Sequence, residues 1–248
     1  MSETAIATSS NGVDVKAPAK TPVPKIKSIT VDTFTAFQKN QVLDKFDVGK
    51  ANHDDWRDFG TEIVLFVRRL IERGFTIAAI LGYEGSGKSY GMKSLPSKTN
   101  IWYNADNKNS TYKGGKDEYG TITSPKYTMR LPKTYEDVLS HIDVVKEKGL
   151  IDENPVAFLI GHLEEFKGAN GVTRNRLKTL GKLSNKINIE DMFTMCYYTE
   201  AVKEGEKMKF YLRTQNSGFD TCRSLEEQHP TLLIPNNFQT IIEAIEAY

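Results

Sequence analysis

The sequence is poor in cysteine and has neither a dominant charge sign nor a long apolar run. Cys196 and Cys222 are the only two cysteines in 248 residues, too few for a disulfide framework. Lysine and arginine number 33 against 32 acidic residues, so any surface for nucleic acid or anionic lipid must be local. No apolar stretch approaches the roughly 20 residues that span a bilayer. With no recognisable secretory leader, we expect a soluble cytoplasmic protein without membrane contact.

One segment carries most of the functional information. Residues Gly82–Ser89 read Gly-Tyr-Glu-Gly-Ser-Gly-Lys-Ser and match the phosphate-binding P-loop, G-x-x-x-x-G-K-[ST]. In this motif glycines let backbone N–H groups converge on phosphate oxygens, the lysine reaches the β- and γ-phosphates, and the serine hydroxyl can ligate Mg²⁺. We expect ATP and Mg²⁺ as ligands, with Ser89 on the metal. The expected nucleotide contacts are Gly82, Glu84, Gly85, Ser86, Gly87, Lys88, Ser89 and Tyr90.

The segments around the motif supply the context that it needs. Residues 75–81 form a short apolar run typical of a buried parallel strand. Residues 90–95 can begin a helix whose N-terminus faces the phosphates. A helix over residues 61–73, ended by Gly74, precedes the strand. The alternative is a glycine- and serine-rich turn with a chance Lys-Ser pair.

Beyond the motif, the chain alternates strand and helix patterns typical of an α/β fold. Residues 1–28 are rich in Ser, Thr, Ala, Pro and Lys, and predict a disordered tail, or alternatively a partner-binding arm. Residues 29–248 are then a single domain. Its remaining predicted elements are strands at 101–103 and 155–162, helices at 134–149 and around 174–186, a hairpin of 192–199 with 208–214, and a last helix from 237.

Several strings, in this order along the chain, resemble a known family. They are the P-loop, Phe158–His162, Lys178–Lys182, Asn188–Thr194, Arg213–Thr221 and Ile234–Asn237. Together they resemble the phage-encoded RecA-like ATPases, including the phage single-strand annealing ATPases and related phage nucleotide-binding proteins. The resemblance covers about residues 60–248.

The resemblance implies a RecA-like P-loop NTPase fold, with a mostly parallel central sheet flanked by helices and a C-terminal β-hairpin and helix. It also implies homo-oligomers with ATP at subunit interfaces, action on single-stranded DNA, and partners among phage replication or recombination proteins. A phage-encoded chain would act in the host cytoplasm.

The acids that ATP hydrolysis requires are less obvious than the P-loop. Asp106, after the strand at 101–103, is the candidate at the second-strand position of RecA-like enzymes, or else a loop-initiating aspartate. No apolar run between residues 103 and 156 ends in an aspartate that could orient Mg²⁺. Either that strand is lost, or the strand at 156–160 replaces it and Glu164 or Glu165 is the acid. His162 stands where RecA-like proteins sense the γ-phosphate, although a structural role is the alternative.

Basic residues supply the DNA-binding and interface candidates. The stretch from residue 167 to 186 contains cations and no acid, which suits a phosphate backbone or, alternatively, a solvated helix face. Its cations are Lys167, Arg174, Arg176, Lys178, Lys182 and Lys186. Arg213 and Arg223 flank the loop at 214–221, and the resemblance implies that a basic residue near Arg223 reaches ATP on a neighbouring subunit.

Three functions remain at this stage. The first is an ATPase acting on single-stranded DNA, with Lys88 in the catalytic machinery. The second, favoured by the missing strand acid, is a nucleotide-gated assembly or helicase-loader-type protein with little turnover. The third is a nucleotide or small-molecule kinase, disfavoured because residues 107–133 offer few arginines for a lid.

Overall fold

The computed structural model describes residues 23–32, 55–168, 171–178 and 189–248. The strands in this part of the chain are β1 (Ile26–Asp32), β2 (Thr76–Gly82), β3 (Asn100–Tyr103), β4 (Gly120–Thr121), β5 (Ser124–Pro125), β6 (Met129–Arg130), β7 (Ile151–Lys167), β8 (Thr173–Leu177), β9 (Met195–Glu204), β10 (Lys207–Arg213) and β11 (Leu233–Pro235). The α-helices are α1 (Asp55–Glu72), α2 (Gly115–Tyr119), α3 (Tyr135–Glu147) and α4 (Phe238–Ala247). Short 3-10 helices cover Lys88–Ser94 and Ile189–Met192.

A mostly parallel sheet forms the centre of the fold. Its strand order is β11-β10-β9-β2-β7-β1-β3-β6, and β8 pairs with β7 outside this path. Strands β9, β2, β7, β1, β3 and β6 run parallel to one another, whereas β10 and β11 continue the sheet antiparallel to β9. Parallel strands end at the same edge, so the residues that follow β1, β2, β3 and β7 come together there.

Helices cover both faces of the sheet, which explains why its central strands are almost continuously apolar. On one face, α1 and α3 bury Phe66, Leu70 and Ile142 among the strand side chains. On the other face, α4 and the 3-10 helix after β2 bury Phe238 and Met92. The Phe238 ring stacks on Phe158 of β7 with centroids 4.7 Å apart.

Local signals fix the ends of several helices. Thr134 and Asp137 form a reciprocal capping box at the start of α3. The Asn237 side chain accepts a hydrogen bond from the backbone N–H of Thr240 and caps α4. Gly74, with φ of 88°, ends the turn after α1, where a left-handed backbone favours glycine.

The structure confirms the α/β class with its mostly parallel sheet and flanking helices, and it corrects two predicted segments. The tail cannot extend to residue 28, because β1 begins at Ile26 and pairs on both sides, with β7 and β3. Residues 173–177 form a strand rather than the start of a helix, because they pair antiparallel with Leu163–Lys167 of β7. Residues 1–22 of the predicted tail and 179–186 of the predicted helix lie outside the described part of the chain. Among the described helices, none has the length and apolarity that crossing a membrane requires.

Candidate functional site

A cleft of about 540 Å³ lies at the edge of the sheet where β1, β2 and β3 end, beside Ile160 and His162 of β7. The P-loop forms one wall, and the chain after β3 forms another. The lining residues are Asp32, Glu84, Gly85, Gly87, Lys88, Ser89, Tyr90, Met92, Trp102, Asp106, Lys108, Asn109, Ser110, Thr111, Tyr112, Ile160, His162 and Phe210. Most of the predicted P-loop contacts, together with Asp106 and His162, therefore meet in one cavity.

The P-loop has the backbone that its glycines predict. Gly85 and Gly87 have φ of 74° and 87°, a region that side chains with a Cβ rarely adopt. Gly82, the last residue of β2, lies so close to the Ser86 and Thr199 hydroxyls that a methyl group would collide with both. Ser86 is itself buried, donates to the Tyr83 carbonyl at 2.7 Å and contacts Thr199. Gly82 and Ser86 thus shape the loop from behind rather than line the cleft.

Lys88 is held by the loop that it belongs to. Its Nζ donates to the Tyr83 carbonyl oxygen at 2.6 Å, and its side chain lines the cleft. Burial lowers the pKa of Lys88 to about 8, an effect that the nearby Glu84 carboxylate partly opposes. An anion in the cleft would favour the charged ammonium and raise that pKa again. Binding of a polyanion in the cleft would therefore offset the cost of burying the Lys88 charge.

Tyr83 joins the P-loop to the β7–β8 hairpin. Its hydroxyl donates to the Asn175 side-chain oxygen at 2.8 Å, although the tyrosine side chain is 44% exposed. The Tyr83 carbonyl accepts the hydrogen bonds from Lys88 and Ser86. This residue, for which phosphate chemistry gives no reason, is thus a direct link between the cleft and the neighbouring hairpin.

Asp32 is the functional candidate that sequence reasoning missed. It ends β1, is only 6% exposed and lines the cleft. The Trp102 indole N–H donates to its carboxylate at 2.7 Å. Burial raises the pKa of Asp32 to about 7, against the lowering effect of that hydrogen bond. An apolar-rich strand ending in a buried aspartate is the feature sought between residues 103 and 156, but the chain supplies it before the P-loop.

The run that could have revealed Asp32 is Ile26-Lys-Ser-Ile-Thr-Val-Asp32, in which β-branched residues precede an acid. This run adjoins the proline-containing tail, whose composition hides the strand pattern. β1 thus ends in a buried acid that lines the cleft, a position that neither of the two alternatives for the metal-orienting acid includes.

Asp106 and His162 also reach the cleft. The Asp106 carboxylate forms an ion pair with Lys108 at 2.9 Å and follows β3, as predicted. His162 pairs with Gly82 in the β2–β7 register and is partly buried. Burial, with the Lys88 charge nearby, lowers the pKa of His162, so the imidazole is predominantly neutral at pH 7.

Glu164 and Glu165 lie beyond the cleft, on the extended part of β7. Glu164 accepts from the Arg176 guanidinium at 2.8 Å across the β7–β8 hairpin, and the same guanidinium lies 4.5 Å from the Phe166 ring centroid. Neither glutamate contributes to the cleft lining. These contacts suit a stabilised hairpin rather than a metal site.

Three of the predicted DNA-binding cations, Lys167, Arg174 and Arg176, lie on the same hairpin. Lys167 and Arg174 are exposed near its tip, and Lys178 is exposed just after β8. Arg176 is partly engaged by Glu164. Lys182 and Lys186 lie outside the described residues. The exposed cations Lys167 and Arg174 thus lie at one end of the hairpin and Lys178 at the other. A role for these cations on nucleic acid stays a prediction.

The two predicted interface arginines have partners within their own chain. Arg213 forms an ion pair at 2.9 Å with the buried carboxylate of Asp220. Arg223 donates to the backbone carbonyls of Glu190 and Phe193. These contacts fasten the loop after β10 to the sheet. A role for either arginine toward a neighbouring subunit stays a prediction.

The residues present are suited to Mg²⁺ bound together with phosphate. Magnesium sites of this kind usually take one or two protein oxygens, while phosphate oxygens and water complete the shell. The Ser89 hydroxyl and the buried Asp32 carboxylate line the same cleft and offer such oxygens. Among the described residues no cluster of three His, Cys, Asp or Glu side chains could hold a metal by itself. The metal would therefore need the nucleotide.

Comparison with known proteins adds no assignment. No protein-family model matches the chain, and no curated protein sequence matches it.

Proposed function

We propose that this chain is a RecA-like P-loop ATPase that binds ATP with Mg²⁺ in the cleft and acts on single-stranded DNA. One observation supports this proposal above the others. A P-loop with left-handed glycines faces a buried aspartate across a single cavity at the carboxyl edge of a parallel sheet. A chance Gly-Ser turn would have no reason to stand at that position.

Each lining group has a definable part in phosphoryl transfer. The P-loop N–H groups and Lys88 hold the phosphates, and Ser89 with Asp32 would hold the metal. Bound Mg²⁺ would neutralise charge on the phosphate oxygens. Asp106 is the candidate for orienting the attacking water, and the His162 imidazole can hydrogen-bond to a phosphate oxygen or to that water.

Action on single-stranded DNA is supported by the family resemblance and by the position of the β7–β8 hairpin. The hairpin extends directly from the strand that carries His162 and is tied to the P-loop through Tyr83. Its exposed cations Lys167, Arg174 and Lys178 can contact a phosphate backbone. The same resemblance supports a homo-oligomer and a setting in phage recombination or replication.

Steady-state ATP hydrolysis with and without single-stranded DNA tests the proposal. Wild-type protein should hydrolyse ATP, and DNA should stimulate it. Asp32→Asn should lower turnover by at least about 10- to 100-fold, because a change in an outer-shell partner of a metal site already costs that much and Asp32 would be a direct ligand. Asp117→Asn, an exposed aspartate of α2 outside the cleft, is the matched control and should keep wild-type activity.

ATP binding with no turnover would contradict the ATPase proposal and support the alternative of a nucleotide-gated assembly protein. This alternative was favoured by the lack of an aspartate at the end of an apolar strand. Asp32 is a candidate for that acid, and it therefore supports the ATPase proposal over the alternative. Turnover that DNA does not alter would contradict the DNA-dependent part alone.

A further inference from the structure

Two aromatic side chains at one end of the cleft have no part in phosphate or metal chemistry. They are Tyr90, which directly follows the P-loop, and Phe210 of β10. Their ring centroids lie 5.0 Å apart with an interplanar angle of 46°, and both rings line the cleft. Tyr90 is 37% exposed, and Phe210 is only partly buried. Aromatic surface left open to a cavity is available to a ligand.

Phe210 is held rigidly against the P-loop. Its backbone pairs with Ala201 of β9, and its carbonyl accepts from the Asn236 N–H at 3.0 Å. The Asn236 side chain in turn donates to the Gly87 carbonyl at 2.7 Å. The ring lies so close to Gly87 that a methyl group there would collide with it. The sheet therefore fixes the position of the Phe210 ring relative to the P-loop.

The cleft lining combines charged groups with uncharged aromatic groups. Lys88 and Ser89 follow Gly87, and the acidic groups Asp32 and Asp106 stand at the ends of β1 and β3. Trp102 and Tyr112 also line the cleft, but Trp102 is only 3% exposed with its indole N–H donated to Asp32, and Tyr112 packs against the core. Tyr90 is the most exposed aromatic residue of the lining, and Phe210 lies beside it. A nucleoside triphosphate has the same division, with an uncharged heterocycle at one end and a polyanion at the other.

We propose that Tyr90 and Phe210 form the nucleobase-binding end of the cleft, with the base stacking on the Phe210 ring. This inference rests on the proposed function and adds to it the part of the ligand that the P-loop motif does not address. Stacking on an aromatic ring tolerates every base, because each base has a π-face. The pair therefore selects nucleotides over inorganic polyphosphate, whichever base is preferred.

The test compares the affinities of ATP and inorganic tripolyphosphate, measured by calorimetry on the full chain with Mg²⁺. Tripolyphosphate carries the phosphates without the base. Phe210→Leu keeps an apolar side chain on β10 but removes the stacking surface. It should weaken ATP binding by about 10- to 100-fold, the range expected for loss of one stacking partner. Its affinity for tripolyphosphate should stay within about 2-fold of wild type, because the phosphate cradle is unchanged.

Two further variants make the result specific. Phe210→Tyr keeps an aromatic ring at this position, so it should bind ATP with an affinity close to that of wild type. Tyr211→Leu is the matched control, since the next residue of β10 points to the opposite face of the sheet and does not line the cleft. It should bind both compounds like wild type.

Equal losses for ATP and tripolyphosphate in Phe210→Leu would overturn the inference, because they would show that the ring only supports the P-loop. Unchanged affinity for both compounds would overturn it too, by placing the base elsewhere. Wild-type protein that binds neither compound would contradict the proposed function itself, and the inference would fail with it. If the wild-type protein binds both compounds, the proposed nucleotide site stands, and the variants then test the base-binding inference alone.

Discussion

Asp32 should make the stability of the free protein depend on pH in a direction opposite to that of most carboxylates. Burial raises its pKa from an ordinary 3.8 to about 7. Between these values the folded state keeps a proton that the unfolded chain releases, so the free energy of unfolding falls as pH rises. The difference is about 3 pKa units, and each unit corresponds to about 1.4 kcal/mol. The ionised carboxylate therefore costs about 4 kcal/mol above pH 7.

Asp32→Asn removes the charge at nearly constant volume and keeps an oxygen for the Trp102 indole N–H. The variant should therefore be more stable than wild type, by an amount that grows with pH. The folded-state pKa of Asp32 lies about 2 pH units above pH 5, and over this interval the difference in free energy of unfolding between the variant and wild type should increase. From pH 5 to pH 8 the increase should be about 2 to 3 kcal/mol. Urea unfolding of both proteins at a series of pH values, in nucleotide-free buffer, measures this difference directly.

Comparing the two proteins at each pH removes the contribution of other titrating groups. Asp117→Asn, the exposed control, should follow the wild-type profile throughout. If the difference in free energy of unfolding between Asp32→Asn and wild type stays constant from pH 5 to pH 8, the account of a buried carboxylate whose ionised form destabilises the fold is refuted. If the variant is also less active, the chain would keep an unfavourable buried acid because the reaction requires it.

Two substitutions test the packing around the site. Gly87→Ala should lower the free energy of unfolding by about 1 to 3 kcal/mol, because Gly87 has a left-handed backbone and its Cβ would collide with Phe210. A loss below about 0.5 kcal/mol in urea unfolding would contradict the fixed relation between β10 and the P-loop. Phe238→Ala should cost about 3 to 5 kcal/mol, because its fully buried ring stacks on Phe158. A cost near 1 kcal/mol by the same method would contradict the packing of α4 against the sheet.

Features set by neighbouring residues could be predicted from the sequence. The P-loop, the strand before it and the cap of α4 each depend on a few consecutive side chains and their backbone preferences. Asp106 after β3 and His162 at β7 were also identified, because the ends of apolar runs mark the functional edge of a parallel sheet.

Features set by strand order could not be predicted in this way. β1 lies between β7 and β3, which are far away in the sequence, and nothing within Ile26–Asp32 specifies those neighbours. Phe210 reaches Gly87 across more than a hundred residues for the same reason. The sequence predicts a helix around residues 174–186, which includes most of β8, because the cations of this segment resemble an exposed helix face until its pairing with β7 is known.

The most direct test of the account is calorimetric titration of the full chain with ATP and Mg²⁺, comparing wild type with Lys88→Ala. The Lys88 ammonium lies in the cradle, so its loss should weaken ATP binding by about 10- to 100-fold, as expected for a charged hydrogen-bonding group. Lys98→Ala, an exposed lysine outside the cleft, should bind ATP like wild type. Equal ATP affinity in wild type and Lys88→Ala would contradict the claim that this cleft binds the nucleotide.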